Sequence, residues 1–121
     1  MNPLVTFEDL DTCMAESDTV PVFVFKHSTA CPISSGAYRS VAEYESKSHE
    51  GDPRVWMVKV IEDRPVSNQI AELLGVQHKS PQLILVHHRE AVWSASHHGI
   101  YEKRIREVVT ENRGRFPTRE G

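Results

Sequence analysis

The sequence predicts a single α/β domain whose central four-stranded mixed sheet is flanked by helices. Two observations carry that prediction. As far as Gly75, apolar runs of strand length alternate with segments of helical periodicity, a pattern that calls for parallel pairing through right-handed crossovers. Beyond Gly75, two strand-like runs are separated only by Arg89 and Glu90, and so short a connection makes a hairpin. A length of 121 residues suits one domain with one core. The domain is placed at residues 1–112, and residues 113–121, with Arg113, Arg115, Pro117 and Arg119, read as a flexible C-terminal tail.

Each element has its own local reason. Thr6 and Asp9 resemble a capping box, and Phe7, Leu10 and Met14 repeat at helical spacing, so a helix is expected from about Phe7 to Glu16. Asp18, Thr19 and Pro21 end it. Val20 to Lys26 is a continuous apolar run rich in β-branched and aromatic residues, which suits a strand covered on both faces. From Pro32 to about Lys47, the positions Ile33, Ala37, Val41 and Tyr44 make one helical face. Gly51, Asp52 and Pro53 break the chain before a second central strand, Val55 to Ile61. Pro65 opens a helix that stops at Gly75. The hairpin strands are Gln82 to His88 and Ala91 to Ser96, and a last helix from about Ile100 to Glu111 buries Ile105, Val108 and Val109.

Composition narrows the function. The formal charge of -3, with 26% charged residues, provides no broad attraction to nucleic acid. No apolar run reaches spanning length, and the first 21 residues carry Glu8, Asp9, Asp11, Glu16 and Asp18, which disagrees with a secretory signal. The expectation is a cytoplasmic chain without membrane contact. Two cysteines, Cys13 and Cys31, cannot build a disulfide framework, so any redox role is catalytic.

Chemistry concentrates in Phe23 to Ser35. An apolar strand runs into a short polar loop and delivers Cys31 just before Pro32 and a helix. Cysteine reacts as its thiolate, and a helix N-terminus favours an anion through its unpaired amides and dipole. Pro32 suits the first helical position because it lacks an N–H and has a fixed φ. Cys13 lies beside the apolar stripe of the first helix and reads as a packing residue, with a resolving thiol as the alternative.

The order of elements, with a cysteine at the first strand-to-helix turn and Ser80-Pro81 before the third strand, resembles the thioredoxin fold. Within it, Thr29-Ala30-Cys31-Pro32-Ile33-Ser34, Val60 to Asn68, Ser80-Pro81-Gln82 and Ala91 to His97 resemble the monothiol bacilliredoxin family over roughly Phe7 to Val109. The resemblance implies reduction of mixed disulfides between protein thiols and bacillithiol, a small cytoplasmic thiol of some bacteria. It implies no permanently bound cofactor, bacillithiol as co-substrate, thiol-modified cytoplasmic proteins as partners, and a monomer or weak homodimer. Ser34 stands where dithiol oxidoreductases carry a second cysteine, so no disulfide can close within the motif. A hydroxyl there can still donate a hydrogen bond to the Cys31 thiolate, which favours the charged form. The catalytic set is therefore Cys31, Pro32 and Ser34.

The candidates for substrate and thiol binding are Ser80, Pro81, Lys26, His27, His97, His98 and Gly99. The resemblance implies a cis Pro81 facing the cysteine, with the Ser80 backbone pairing with the substrate chain. Lys26 and His27 would add positive charge near Cys31; alternatively Lys26 is a solvated strand end. His97, His98 and Gly99 precede the last helix, where glutaredoxin-like proteins often bind the carboxylate of a thiol cofactor. Adjacent histidines in a strand point to opposite faces, so His87-His88 and His97-His98 are poor chelators and no metal site is expected. Trp56 and Trp93 read as packing residues. Two non-enzymatic alternatives remain: a monothiol iron–sulfur carrier, disfavoured by Pro32-Ile33, and a binding or regulatory module in which Cys31 is only modified.

Overall fold

The computed structural model describes residues 1–113. In chain order the elements begin with β1 (Asn2–Pro3), α1 (Phe7–Ser17), β2 (Val22–His27), α2 (Pro32–Ser46) and β3 (Arg54–Lys59). They continue with α3 (Arg64–Leu74), β4 (Gln82–His87), β5 (Glu90–Ser96), a 3-10 turn (His97–Gly99) and α4 (Glu102–Glu111). The sheet order is β1-β3-β2-β4-β5, with β1 and β2 parallel to β3, and β4 antiparallel to both β2 and β5. This is the predicted mixed α/β sheet with one further strand.

The sequence reading missed β1, and the expected four strands are five. Two residues cannot show an alternating pattern; only their pairing makes them a strand. Asn2 and Pro3 lie opposite Trp56 and Met57, and the Leu4 amide donates to the Met57 carbonyl at 2.8 Å. Residues 114–121, most of the expected tail, lie outside the described residues. Arg113 is described, and its guanidinium lies 3.6 Å from Asp52.

Local signals set most boundaries. The capping box at α1 is formed: the Asp9 amide donates to Thr6 Oγ1 at 3.0 Å, and Asp9 Oδ2 accepts from the Thr6 amide at 3.1 Å. Backbone donors at Val5 and Thr6 hold the Asp9 carboxyl below its ordinary range. α3 ends at Gly75, whose φ of 64° lies in the left-handed region that glycine enters without a Cβ clash. The last helix starts at Glu102 rather than Ile100, because His97–Gly99 form a separate turn.

Both faces of the sheet are covered. Every residue of β2 is buried, as a central strand between two helical layers requires. Side chains alternate along it: Val22 and Val24 join Leu10, Met14 and Ile70 in the core under α1 and α3, whereas Phe23 and Phe25 join Val41, Tyr44 and Val108 under α2 and α4. Each of these large apolar side chains contributes about 1.5–3 kcal/mol by leaving water. The Tyr44 hydroxyl is also buried and donates to the Pro53 carbonyl at 2.7 Å.

The same alternation turns Lys26 toward the α1/α3 side. It is no solvated strand end: its relative exposure is 0% and its ammonium lies 3.1 Å from His78 Nδ1. An ammonium can only donate, so Nδ1 accepts and carries no proton. Burial pulls the Lys26 pKa from 10.5 down to about 8. It also lowers that of His78, to which Lys26 and Arg64 add repulsion. Between pH 8 and 10.5 the unfolded chain therefore holds more protons on this group than the folded chain, and stability should rise with pH there. Lys26→Met should stabilise the protein at pH 7 by about 1–3 kcal/mol and flatten that rise. Urea unfolding at pH 7 and pH 10 checks this; a destabilised variant would mean that the bond to His78 outweighs the burial cost.

Candidate functional site: the thiol at the head of α2

β2 ends at His27, and the chain turns through Ser28, Thr29 and Ala30 to Cys31. The turn is closed by the Cys31 amide, which donates to the Ser28 carbonyl at 3.4 Å. Cys31 is the N-cap residue of α2, with φ -116° and ψ 123°, and Pro32 follows in the first turn. Its side chain makes no capping bond, so the positive end of the helix stays available to an anion at the sulfur. Cys31 is half-buried, and the neighbouring Pro32 and Ile33 are exposed.

Behind the thiol lies a bonded pair absent from the sequence expectations. Ser34 Oγ accepts the Ser28 amide at 2.9 Å and lies 2.8 Å from His27 Nδ1. Ser34 is fully buried and His27 is 8% exposed. The imidazole stacks on Phe25, with centroids 5.6 Å apart, and meets Tyr38 at 5.1 Å. Burial is the main cause that lowers the His27 pKa below 6.5, with Lys59 acting in the same direction and Glu62 opposing. The partners of the Ser34 hydroxyl are His27 and the Ser28 amide, and no bond from it to the Cys31 sulfur is formed. Thr29 Oγ1 also ties the loop to Glu62, donating at 3.3 Å.

The Ser80–Pro81 bond is cis, as the resemblance implies. The antiparallel ladder of β2 and β4 ends with Lys26 opposite Gln82, the residue that follows Pro81. The Ser80–Pro81 step and the cysteine loop therefore share one end of the sheet. The Pro81 carbonyl accepts the His97 amide at 3.1 Å, which couples this step to the 3-10 turn. His97, itself at φ 55°, and His98 line a groove of about 430 Å³ with Pro32, Ile33, Ser40 and Tyr101. Gly99 lies in the same turn and its Cα faces Ala95, where an added Cβ would sit 3.6 Å away in ordinary contact.

Other candidates sit elsewhere. Lys26 is buried on the opposite face of β2 from His27, against His78. Cys13 is fully buried in the α1/α3 core, where burial, and then Glu16, push its thiol up to about 12. It packs in that core, as the apolar stripe of the first helix suggested. Trp56 is buried and donates from Nε1 to Glu16 at 3.1 Å, and Trp93 packs edge-on against Phe23. The His87 and His88 rings do not point apart: they stack at 3.9 Å, because His88 leaves the strand with φ 53°. No group of three or more metal-binding side chains occurs among the described residues. The sequence reading missed Tyr38, although its spacing of four from Ser34 on α2 places both on one helical face.

A thiol at the start of the helix after the central strand, with a cis-proline step at the same end of a five-stranded mixed sheet, defines a thioredoxin-fold thiol redox protein. The chain matches the family described as monothiol bacilliredoxin BrxC over residues 2–105, and it belongs to that family. It is similar to a structure described as an unconfirmed oxidoreductase with a thioredoxin fold, at 29% identity and a TM-score of 0.76, covering 88% of this chain and 90% of the other. Fasciola hepatica thioredoxin shares the fold at 18% identity and a TM-score of 0.72, with 92% and 98% of the two chains covered. Arabidopsis thaliana thioredoxin O2 does so at 16% identity and a TM-score of 0.69, with 91% of each covered. Among the described residues, no helix is long and apolar enough to cross a membrane.

The contrast between the two cysteines is directly measurable. Titration with an aromatic disulfide reagent should show one fast thiol per native chain and the second only on unfolding, with the fast one lost in Cys31→Ser. Two fast thiols in the native protein would place Cys13 outside the core.

Proposed function

We propose that the protein removes bacillithiol from mixed disulfides on thiol-modified proteins, using Cys31 as nucleophile. One observation carries this reading: in a chain of the monothiol bacilliredoxin family, the half-exposed thiol at the head of α2 has Ser34 where a second cysteine would stand. The Cys31 thiolate attacks the bacillithiol sulfur of the modified protein, the mixed disulfide breaks, and the protein's sulfur leaves as a thiolate. Cys31 then carries bacillithiol. With no second cysteine in the motif, an outside thiol must attack this adduct, taking the bacillithiol into a new disulfide and returning Cys31 as a thiolate. No permanently bound cofactor takes part.

The groove beside the thiol supports the choice of a polar small thiol. His97 and His98 offer ring nitrogens next to Pro32 and Ile33, while the exposed Ile33 and Tyr101 offer an apolar rest for the protein part of the substrate. Ser80, at the cis-proline step, presents backbone to a substrate strand alongside the cysteine loop. Metal and nucleic acid have no part in this reading, and the protein works in the cytoplasm as a monomer or weak homodimer.

Incubation with bacillithiol disulfide should add one bacillithiol at Cys31, detected by mass spectrometry, and Cys31→Ala should carry none. An adduct at Cys13 would move the site. Mixed disulfides of bacillithiol, glutathione and coenzyme A, compared side by side, should be reduced with bacillithiol fastest; equal slow rates would sink the assignment.

A further inference from the structure

A small cavity of about 220 Å³ opens on α2 beside the end of β2, lined by His27, Ser35, Tyr38 and Arg39. It lies one helical turn from the thiol, because the Ser35 amide donates to the Cys31 carbonyl at 3.2 Å. That volume is below the range of about 300–1,000 Å³ that encloses a whole small molecule, so the cavity suits one end of a substrate. Every polar side chain in its lining can donate a hydrogen bond, and no carboxylate lines it. Ser35 Oγ, the Tyr38 hydroxyl and the Arg39 guanidinium make no hydrogen bond among the described residues. The buried His27 ring has Nδ1 engaged by Ser34, and its Nε2 is likewise without a bond among them.

Two cations stand at this cavity. Arg39 is exposed, and its Nη2 lies 3.9 Å from the place a Cβ on Gly36 would take, so the guanidinium is folded back along α2 toward the helix start. Lys59 pairs with His27 across β2 and β3. Two residues beyond Met57, which packs in the α2/α4 core, it shares that face of the sheet, and its charge reaches the His27 ring. Neither cation meets a carboxylate among the described residues, in a chain of formal charge -3 whose Arg54, Arg89, Arg104 and Arg106 are all paired. Glu62, the acid that acts on His27, accepts from Thr29. The groove of His97 and His98 runs along a neighbouring face of α2, over Ile33, Gly36 and Ser40, and holds no arginine or lysine.

We propose that the cavity of His27, Ser35, Tyr38 and Arg39, with Lys59 beside it, binds a carboxylate carried by the small-thiol half of the mixed disulfide. A guanidinium pairs with a carboxylate through two N–H groups, and the Ser35 and Tyr38 hydroxyls add donors to the same oxygens. A substrate anchored in this way presents the sulfur of its small-thiol half to Cys31. The new bond forms between that sulfur and Cys31, and the disulfide breaks with the protein's sulfur leaving as a thiolate. The inference rests on the reading of Cys31 as the exchange thiol, and it adds what selects the disulfide and which of its two sulfurs is attacked.

The test uses two substrates that differ in one group: a neutral cysteine peptide in mixed disulfide with a six-carbon mercapto acid, or with the matching mercapto alcohol. At low ionic strength the reduced protein should release the peptide thiol about 3- to 10-fold faster from the acid, the effect of one partly exposed, hydrogen-bonded ion pair. Mass spectrometry should find the mercapto acid on Cys31. Arg39, Lys59 and Lys79 are all exposed, so their replacement leaves the core intact. The acid-to-alcohol ratio should collapse in Arg39→Gln, recover in part in Arg39→Lys and decline in Lys59→Gln. It should hold in Lys79→Gln, which removes another cation two residues before Pro81. No preference in the wild type, a preference that survives Arg39→Gln, or one lost equally in Lys79→Gln overturns the proposal, the last because a diffuse field would then account for it. An aspartate-bearing peptide linked to the mercapto alcohol checks the other source. If Arg39→Gln slows that substrate as much as the acid, the carboxylate belongs to the protein half and the assignment to the small thiol falls. None of these substrates contains bacillithiol, so failure to remove bacillithiol with the ratios intact would strike the proposed function alone. No adduct at Cys31 from any of them would strike both.

Discussion

The structure depends on the coverage of β2 from both sides. All six of its residues are buried, and it is hydrogen-bonded to β3 on one edge and β4 on the other. A strand so placed can release its chain only at its ends. At the C-terminal end the backbone must leave the sheet, turn and return as α2, and that turn is where Cys31 sits. The position of the thiol thus follows from the topology: it stands at the edge of the core, after a strand that cannot shift without unpacking two layers.

That end of the sheet gathers separate parts of the chain. Antiparallel pairing with β4 brings the cis Ser80–Pro81 step to the end of the sheet where the cysteine loop starts, and the Pro81 carbonyl anchors the turn that carries His97 and His98. Val60 donates its amide to the His27 carbonyl at 3.0 Å, which ties the segment after β3 to the same place. These contacts make a groove with one half-exposed sulfur at its margin. The other cysteine is buried in the α1/α3 core.

Alternation in β2 has a second consequence. Phe25 and His27 face α2, while Lys26 between them faces α3. Two neighbouring basic residues that a sequence reader would group as positive charge near the thiol are separated by the sheet. One becomes a buried amine bonded to His78, and the other a ring that holds Ser34.

The sequence by itself determined the order and type of the main elements, because periodicity, the Thr6–Asp9 cap, Pro32 and Gly75 are local signals that tertiary contacts did not override. It also determined that Cys31 would stand at the head of a helix, and the motif around it was specific enough to indicate the family. What only the tertiary structure decided were relations between distant or alternating residues. β1 exists because β3 pairs with it, and Lys26 is buried because alternation turns it to the α1/α3 side, where His78 meets it. His88 stacks on His87 because a turn reverses its direction, and the Ser34 hydroxyl faces His27 instead of Cys31 because the Ser28 amide and a ring packed between Phe25 and Tyr38 hold it there. Spacing along the chain names the groups that can react; only packing fixes which partner each polar atom meets.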